Sequence, residues 1–139
     1  MTLARLRSDV CDVVVFYPTP VLARQIRDWS GRHRDRRVET ATGRSAREIR
    51  EAVDRAEVVL VDATEDHVQA IDALVMASGG HGPGKAAVYT ERIHEGLELF
   101  VRQQGVPLLF GPLTGAQWEG FFERIVPGRH GRQPWKLVA

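Results

Sequence analysis

The sequence predicts a single α/β domain: a parallel five-stranded sheet in the order 2-1-3-4-5, covered by five helices in a three-layer sandwich. Three observations carry this. Short apolar runs rich in β-branched residues alternate with longer amphipathic segments along most of the chain. The run Glu57–Val61 is valine and leucine almost throughout, without the polar alternation of a half-exposed strand, so it reads as a strand covered on both faces. The connections are short, and right-handed crossovers then place the helices on both sides of a parallel sheet.

The elements follow in order. Val10–Phe16 reads as a buried strand. Val21, Leu22, Ile26 and Trp29 recur at helical spacing, and Gly31 stops that helix. Arg37–Thr42 is a weaker strand with alternating polarity. Ser45 and Glu48 stand at capping-box spacing and open a helix whose stripe is Ala46, Ile49, Val53 and Ala56. After Glu57–Val61, a helix is marked by Val68, Ile71, Leu74 and Val75. Gly79–Gly84 reads as a flexible connector to the fourth strand, Ala86–Tyr89. Its glycines do not make a phosphate cradle, because such loops follow a strand and open a helix. Ile93, Leu97, Phe100 and Val101 mark the fourth helix, which Gly105 ends. Val106–Phe110 is the fifth strand, and Thr114 with Gln117 caps a last helix striped by Trp118, Phe121, Phe122 and Ile125. The domain is read as residues 1–127, followed by a polar tail, 128–139, in which Trp135 is set either to fold back or to anchor a partner.

Composition narrows the function. The chain has 139 residues, 43% of them hydrophobic, and a formal net charge of +1, so nothing marks it as a general nucleic-acid binder. A lone cysteine, Cys11, excludes an intrachain disulfide and a cysteine-based metal site, and fits a reducing cytoplasm. No signal peptide or membrane-spanning apolar run is read. The histidines, His33, His67, His81, His94 and His130, show no ligand spacing, and no metal or cofactor is expected. No Ser-His-Asp or Cys-His set argues for an enzyme.

In a sheet of this kind ligands sit at the carboxyl ends of the strands. That edge comprises Tyr17–Thr19, Thr42–Gly43, Asp62–Thr64, Thr90–Glu91 and Gly111–Pro112. Asp62, at the end of a buried strand, is costly unless solvated or paired. Taken together, these positions resemble the receiver domains of response regulators, a flavodoxin-like family, over roughly Val13 to Val126. The resemblance implies that Asp62 is the phosphoacceptor equivalent and Thr90 the switch equivalent, and it aligns Pro112 with the proline that follows the receiver lysine.

The departures are specific. Receivers follow the first strand with paired carboxylates that hold Mg²⁺, where this chain has Tyr17-Pro18-Thr19; Asp9 and Asp12 lie at the opposite end of the strand. The lysine of the fifth strand is Gly111, and the aromatic switch position is Leu108. Phosphoryl transfer depends on positioning and cationic stabilisation, and Mg²⁺ dehydrates reluctantly, so Asp62 alone is a poor site. The resemblance therefore implies a pseudo-receiver, a phosphorylation-independent interaction module of bacterial two-component signalling with no effector domain of its own. Its partner would be a kinase or downstream signalling protein, or a second copy. The docking face would be the fourth helix, fifth strand and fifth helix, presenting Arg92, Glu95, Arg102, Gln103 and Gln117. Two alternatives stand beside it. One is a receiver still phosphorylated on Asp62. The other is a small-molecule-binding flavodoxin-like domain with a polar pocket near Tyr17, Asp62 and Thr90. Simpler roles are open as well: Asp62 as an anion accepting bonds from the turn that follows it, and Thr90 as the cap of the helix containing Ile93. Tyr17 either closes the altered site or offers it an aromatic ring.

Overall fold

The structure, a computed structural model, describes residues 11–42, 45–81 and 86–124. In chain order these form β1 (Cys11–Phe16), α1 (Pro20–Arg32), β2 (Val38–Ala41), α2 (Ala46–Arg55), β3 (Ala56–Asp62), α3 (His67–His81), β4 (Ala86–Thr90), α4 (Glu95–Gln103), β5 (Leu108–Phe110) and α5 (Gly115–Arg124). The strands make one parallel sheet in the order β2-β1-β3-β4-β5. This is the predicted flavodoxin-like sandwich.

Alternate strand residues point to opposite faces, and the core divides accordingly. Val14, Phe16, Val59, Val61 and Val88 pack under α2, α3 and α4. Val13, Val15, Val58, Leu60 and Tyr89 pack under α1 and α5, against Leu22, Trp29, Trp118 and Phe122. Both predicted caps form, and the reciprocal box closes at Thr114 and Gln117. Ser45 Oγ accepts from Glu48 N at 3.2 Å, and Thr114 Oγ1 accepts from Gln117 N at 3.2 Å while Gln117 Oε1 accepts from Thr114 N at 2.8 Å. No helix of the described residues is long and apolar enough to cross a membrane.

Several expectations shift in phase or boundary. In α3 the buried face is Ala70, Ala73, Leu74 and Ala77, whereas Val68 and Val75 are exposed. Small side chains let the helix approach the sheet closely, and the valines are left outside. Val21 and Ala46 are likewise exposed, and Ile93, which is 82% exposed, precedes α4 instead of lying in it. Gly31 falls inside α1, which His33 terminates. Gly79, Gly80 and His81 continue α3 where a connector was expected from Gly79, and the remainder of that segment, 82–84, lies outside the described residues. The fifth strand starts at Leu108 because Pro107 has no N–H for a ladder; its carbonyl still accepts from Val88 N at 2.9 Å. Val10, Gly43, Ile125 and the tail 128–139 with Trp135 lie outside the described residues.

Candidate functional site

Register brings the carboxyl edge together. Phe16 lies beside Val61, Asp62 beside Tyr89, and Thr90 beside Phe110. Asp62 is only 2% exposed, and its burial is compensated by backbone amides. Oδ2 accepts from Thr19 N at 3.0 Å and Oδ1 from Thr64 N at 2.9 Å. Two N–H donors fix the carboxylate between the β1–α1 and β3–α3 turns. The bond to Thr64 is the local role read for Asp62 from the sequence; the bond to Thr19 is long-range and was not.

The β1–α1 turn is shaped by this contact. Thr19 caps α1, its Oγ1 accepting from Leu22 N at 3.2 Å, and Pro20 occupies the first helical turn, where its missing N–H costs nothing. Tyr17 adopts φ 57, in the left-handed region, while Tyr17 N donates to Ala41 O at 3.0 Å. Its ring packs beside Phe16 against the α2–α3–α4 cluster. Burial raises the Tyr17 phenol above its ordinary pKa, with the charges of Asp72 and Asp66 adding to the effect. Pro18 is half-buried.

Thr90 does not cap α4. His94 does, its Nδ1 accepting from Leu97 N at 3.1 Å. Thr90 is buried and closes its own turn: Oγ1 accepts from Arg92 N at 3.2 Å and donates to Arg92 O at 3.0 Å. The neighbouring turn is tied back by Glu91 N, which donates to Thr64 Oγ1 at 3.0 Å. His94 also lies against His67, with ring centroids 4.0 Å apart, a pairing that sequence spacing did not reveal.

The residue that sequence reasoning missed is Tyr89. It is fully buried, and its phenol donates to Glu91 Oε2 at 2.8 Å. A Cβ built on Gly111 would overlap the Tyr89 phenol oxygen and ring carbons. The bond Gly111–Pro112 is cis. Burial raises the Tyr89 phenol far above its usual pKa; the hydrogen bond to Glu91 and then the charges of Glu91 and Asp62 act in the same direction. A neutral phenol backed by a carboxylate therefore fills the space beside Gly111. Its only advance signal was a large aromatic one residue before the end of a strand whose other residues are small.

Asp12 is at the opposite end of β1, where Oδ2 accepts from Arg37 N at 2.6 Å, so it takes no part in this edge. Among the described residues, no group of three or more histidine, cysteine, aspartate or glutamate side chains is placed to hold a metal ion. The proposed docking residues Arg92, Glu95, Arg102, Gln103 and Gln117 are all exposed. Arg102 pairs with Glu98 at 2.8 Å, and Gln117 is committed to its capping box. Gln117 also lines a groove of about 630 Å³ bordered by β5 and α5, together with Leu109, Phe110, Leu113, Phe121 and Arg124, with Phe110 48% exposed.

No protein-family model matches the chain, and no curated protein does. Among solved structures, one similar in fold is described as a CpaE2 pilus assembly protein from Sinorhizobium meliloti 1021. The two share 15% identity, with a TM-score of 0.54 over 78% of this chain and 94% of that one. The fold is receiver-like. In this receiver-like frame the strand order and the division of helices into layers of three and two are complete, while the carboxyl edge holds a backbone-bound aspartate, two threonine-closed turns and a buried tyrosine.

Proposed function

We propose that the protein is a receiver-like interaction module of a signalling or assembly complex that works without phosphorylation of Asp62. The observation that carries this is the Tyr89 phenol in the space a Gly111 side chain would need. A lysine there would have to displace a fully buried ring, and without a cation an acyl phosphate on Asp62 lacks the stabilisation that phosphoryl transfer depends on. The two backbone amides on Asp62 favour a second role for it, holding the β1–α1 and β3–α3 turns in place. Two observations support partner binding on the α4–β5–α5 side: the groove where exposed Phe110 lies with Leu109 and Leu113, and the exposed Arg92, Glu95, Leu99 and Gln103 on α4 and the turn before it. The protein similar in fold is described as a pilus assembly protein, which is compatible with work inside a protein assembly.

The test is incubation with acetyl phosphate or beryllofluoride and Mg²⁺, read by intact mass and by thermal shift. No adduct and no stabilisation are expected. A phosphoryl adduct that disappears in Asp62→Asn would overturn the proposal. Partner capture from the native host, repeated with Phe110→Glu, asks whether the α4–β5–α5 side is the docking face. Undiminished capture by that variant would move the face elsewhere.

A further inference from the structure

One helical layer has three helices and the other two, over the same five strands. The α1–α5 pair covers the central strands and leaves both sheet edges open on its side. At the β2 edge this produces a second groove, of about 440 Å³. Ala23, buried Ile26 and half-buried Val38 form its apolar part, and Arg27, Arg34, Ser30 and Thr40 are among the rest of its lining.

Charge is unevenly divided along the chain. Residues 20–55 contain ten arginines and six carboxylates, whereas residues 56–124 contain four cations and ten carboxylates. With a net charge of +1 the whole chain is nearly neutral, so the imbalance lies between these stretches of it. Internal pairing does not erase it. Arg37 and Arg55 pair with Glu39, and Arg47 pairs with Glu51. Among the described residues, Arg27 and Arg34 have no ion-pair partner, and neither do the exposed Asp72 on α3 and Glu95 on α4. The groove at the β2 edge thus carries Arg27 and Arg34, while Asp72 and Glu95 stand on helices of the opposite layer.

We propose that this groove receives a second copy of the chain, which docks its acidic α3–α4 surface around Asp72 and Glu95 against Arg27 and Arg34. The contact is independent of any role for Asp62. The two patches differ, so the interface is heterologous: each copy keeps one open groove and one open acidic surface, and association continues head to tail. Exposed ion pairs are individually weak and are screened by salt, so the assembly is weak and dependent on ionic strength, with cover over half-buried Val38 adding a small apolar contribution.

Sedimentation velocity on the full chain tests this. Average mass is expected to rise with protein concentration at about 0.05 M salt, and the apparent Kd to weaken by about tenfold or more at about 0.5 M, where the Debye length is much shorter. Arg27→Gln/Arg34→Gln and Asp72→Asn/Glu95→Gln are each expected to stay monomeric with unchanged melting curves. Mixed together, they form a one-to-one pair that does not grow, because each supplies one intact surface. Arg27→Lys/Arg34→Lys, which keeps the charge, still assembles. A monomer at all concentrations, association indifferent to salt, folded neutral variants that assemble like the parent, or mixed variants that remain apart would each overturn the proposal.

Discussion

The two helical layers cover one sheet with different materials. The α2–α3–α4 layer is built largely from small side chains, Ala52, Ala70, Ala73 and Ala77, with Ile49, Val53, Leu74 and Leu97 between them. The α1–α5 layer is built from Trp29, Trp118, Phe121 and Phe122, with Tyr89 rising from the sheet. Two helices must fill the area that three share on the other side, so each contributes more volume. The rings are closely ordered. Trp29 stacks on Phe122 at 3.6 Å and on His33 at 4.2 Å, and Trp29 Nε1 donates to Glu119 Oε1 at 3.1 Å. The same Glu119 oxygen meets His33 Nε2 at 2.6 Å, fastening α1 to α5. Tyr89 belongs to this aromatic layer and also takes the space beside Gly111. Filling the two-helix layer and altering the carboxyl edge are therefore one packing event.

The largest expected effect lies in the aromatic layer. Trp29→Ala or Phe122→Ala should destabilise the fold by about 3–5 kcal/mol in urea unfolding. Ala73→Leu, which overfills the opposite layer, should cost about 1–3 kcal/mol. A Trp29→Ala cost below that of Ala73→Leu would break the contrast between the layers. Next is the coupling of the aromatic layer to the edge. Gly111→Ala should cost about 1–3 kcal/mol by crowding the Tyr89 ring, and most of that cost should vanish in a Tyr89→Ala background; additive melting shifts in the double variant would separate the two residues. Smaller still, Ser45→Ala on α2 and Thr114→Ala on α5 should each cost about 1 kcal/mol. Equal costs would locate the difference between the layers in packing and not in the helix ends.

A further effect appears only at alkaline pH. Burial pushes the Cys11 thiol up to about 11, with Glu39 adding to the rise, against an ordinary value of 9.0. Because the folded value is the higher one, the neutral thiol's contribution to stability is complete below about pH 9 and is lost as pH rises towards about 11. Melting temperatures measured over that window should fall less steeply for Cys11→Ala than for the parent. Identical slopes would assign the alkaline loss to other groups.

Much of the fold was legible because its signals are local. Ser45 with Glu48 and Thr114 with Gln117 announced two helix starts that form as read. The unbroken apolar run of β3 announced a central strand. The stripe of α3 was misread because Val68 and Val75 are more hydrophobic than the alanines that in fact face the core. Hydrophobicity ranks residues by type, whereas a close helix–sheet approach selects by size. Of the candidate site, Asp62 and Thr90 were placed correctly on the carboxyl edge, and the bond of Asp62 to the turn after it was read, but its bond to Thr19 was not. Thr90 turned out to close its own turn, and His94 took the capping role.

By itself the sequence determined the order of the elements, the parallel sheet and the identity of its carboxyl edge. Periodicity, capping residues and chain breaks act within a few residues, and crossover handedness supplies the rest. Only the tertiary structure decided what that edge holds. Thr19 meets Asp62 across 43 positions in the chain, and Tyr89 competes with Gly111 for one volume. Contacts of that range are chosen by how the layers fill space once the chain has closed, and no local pattern encodes which side chain takes a contested volume.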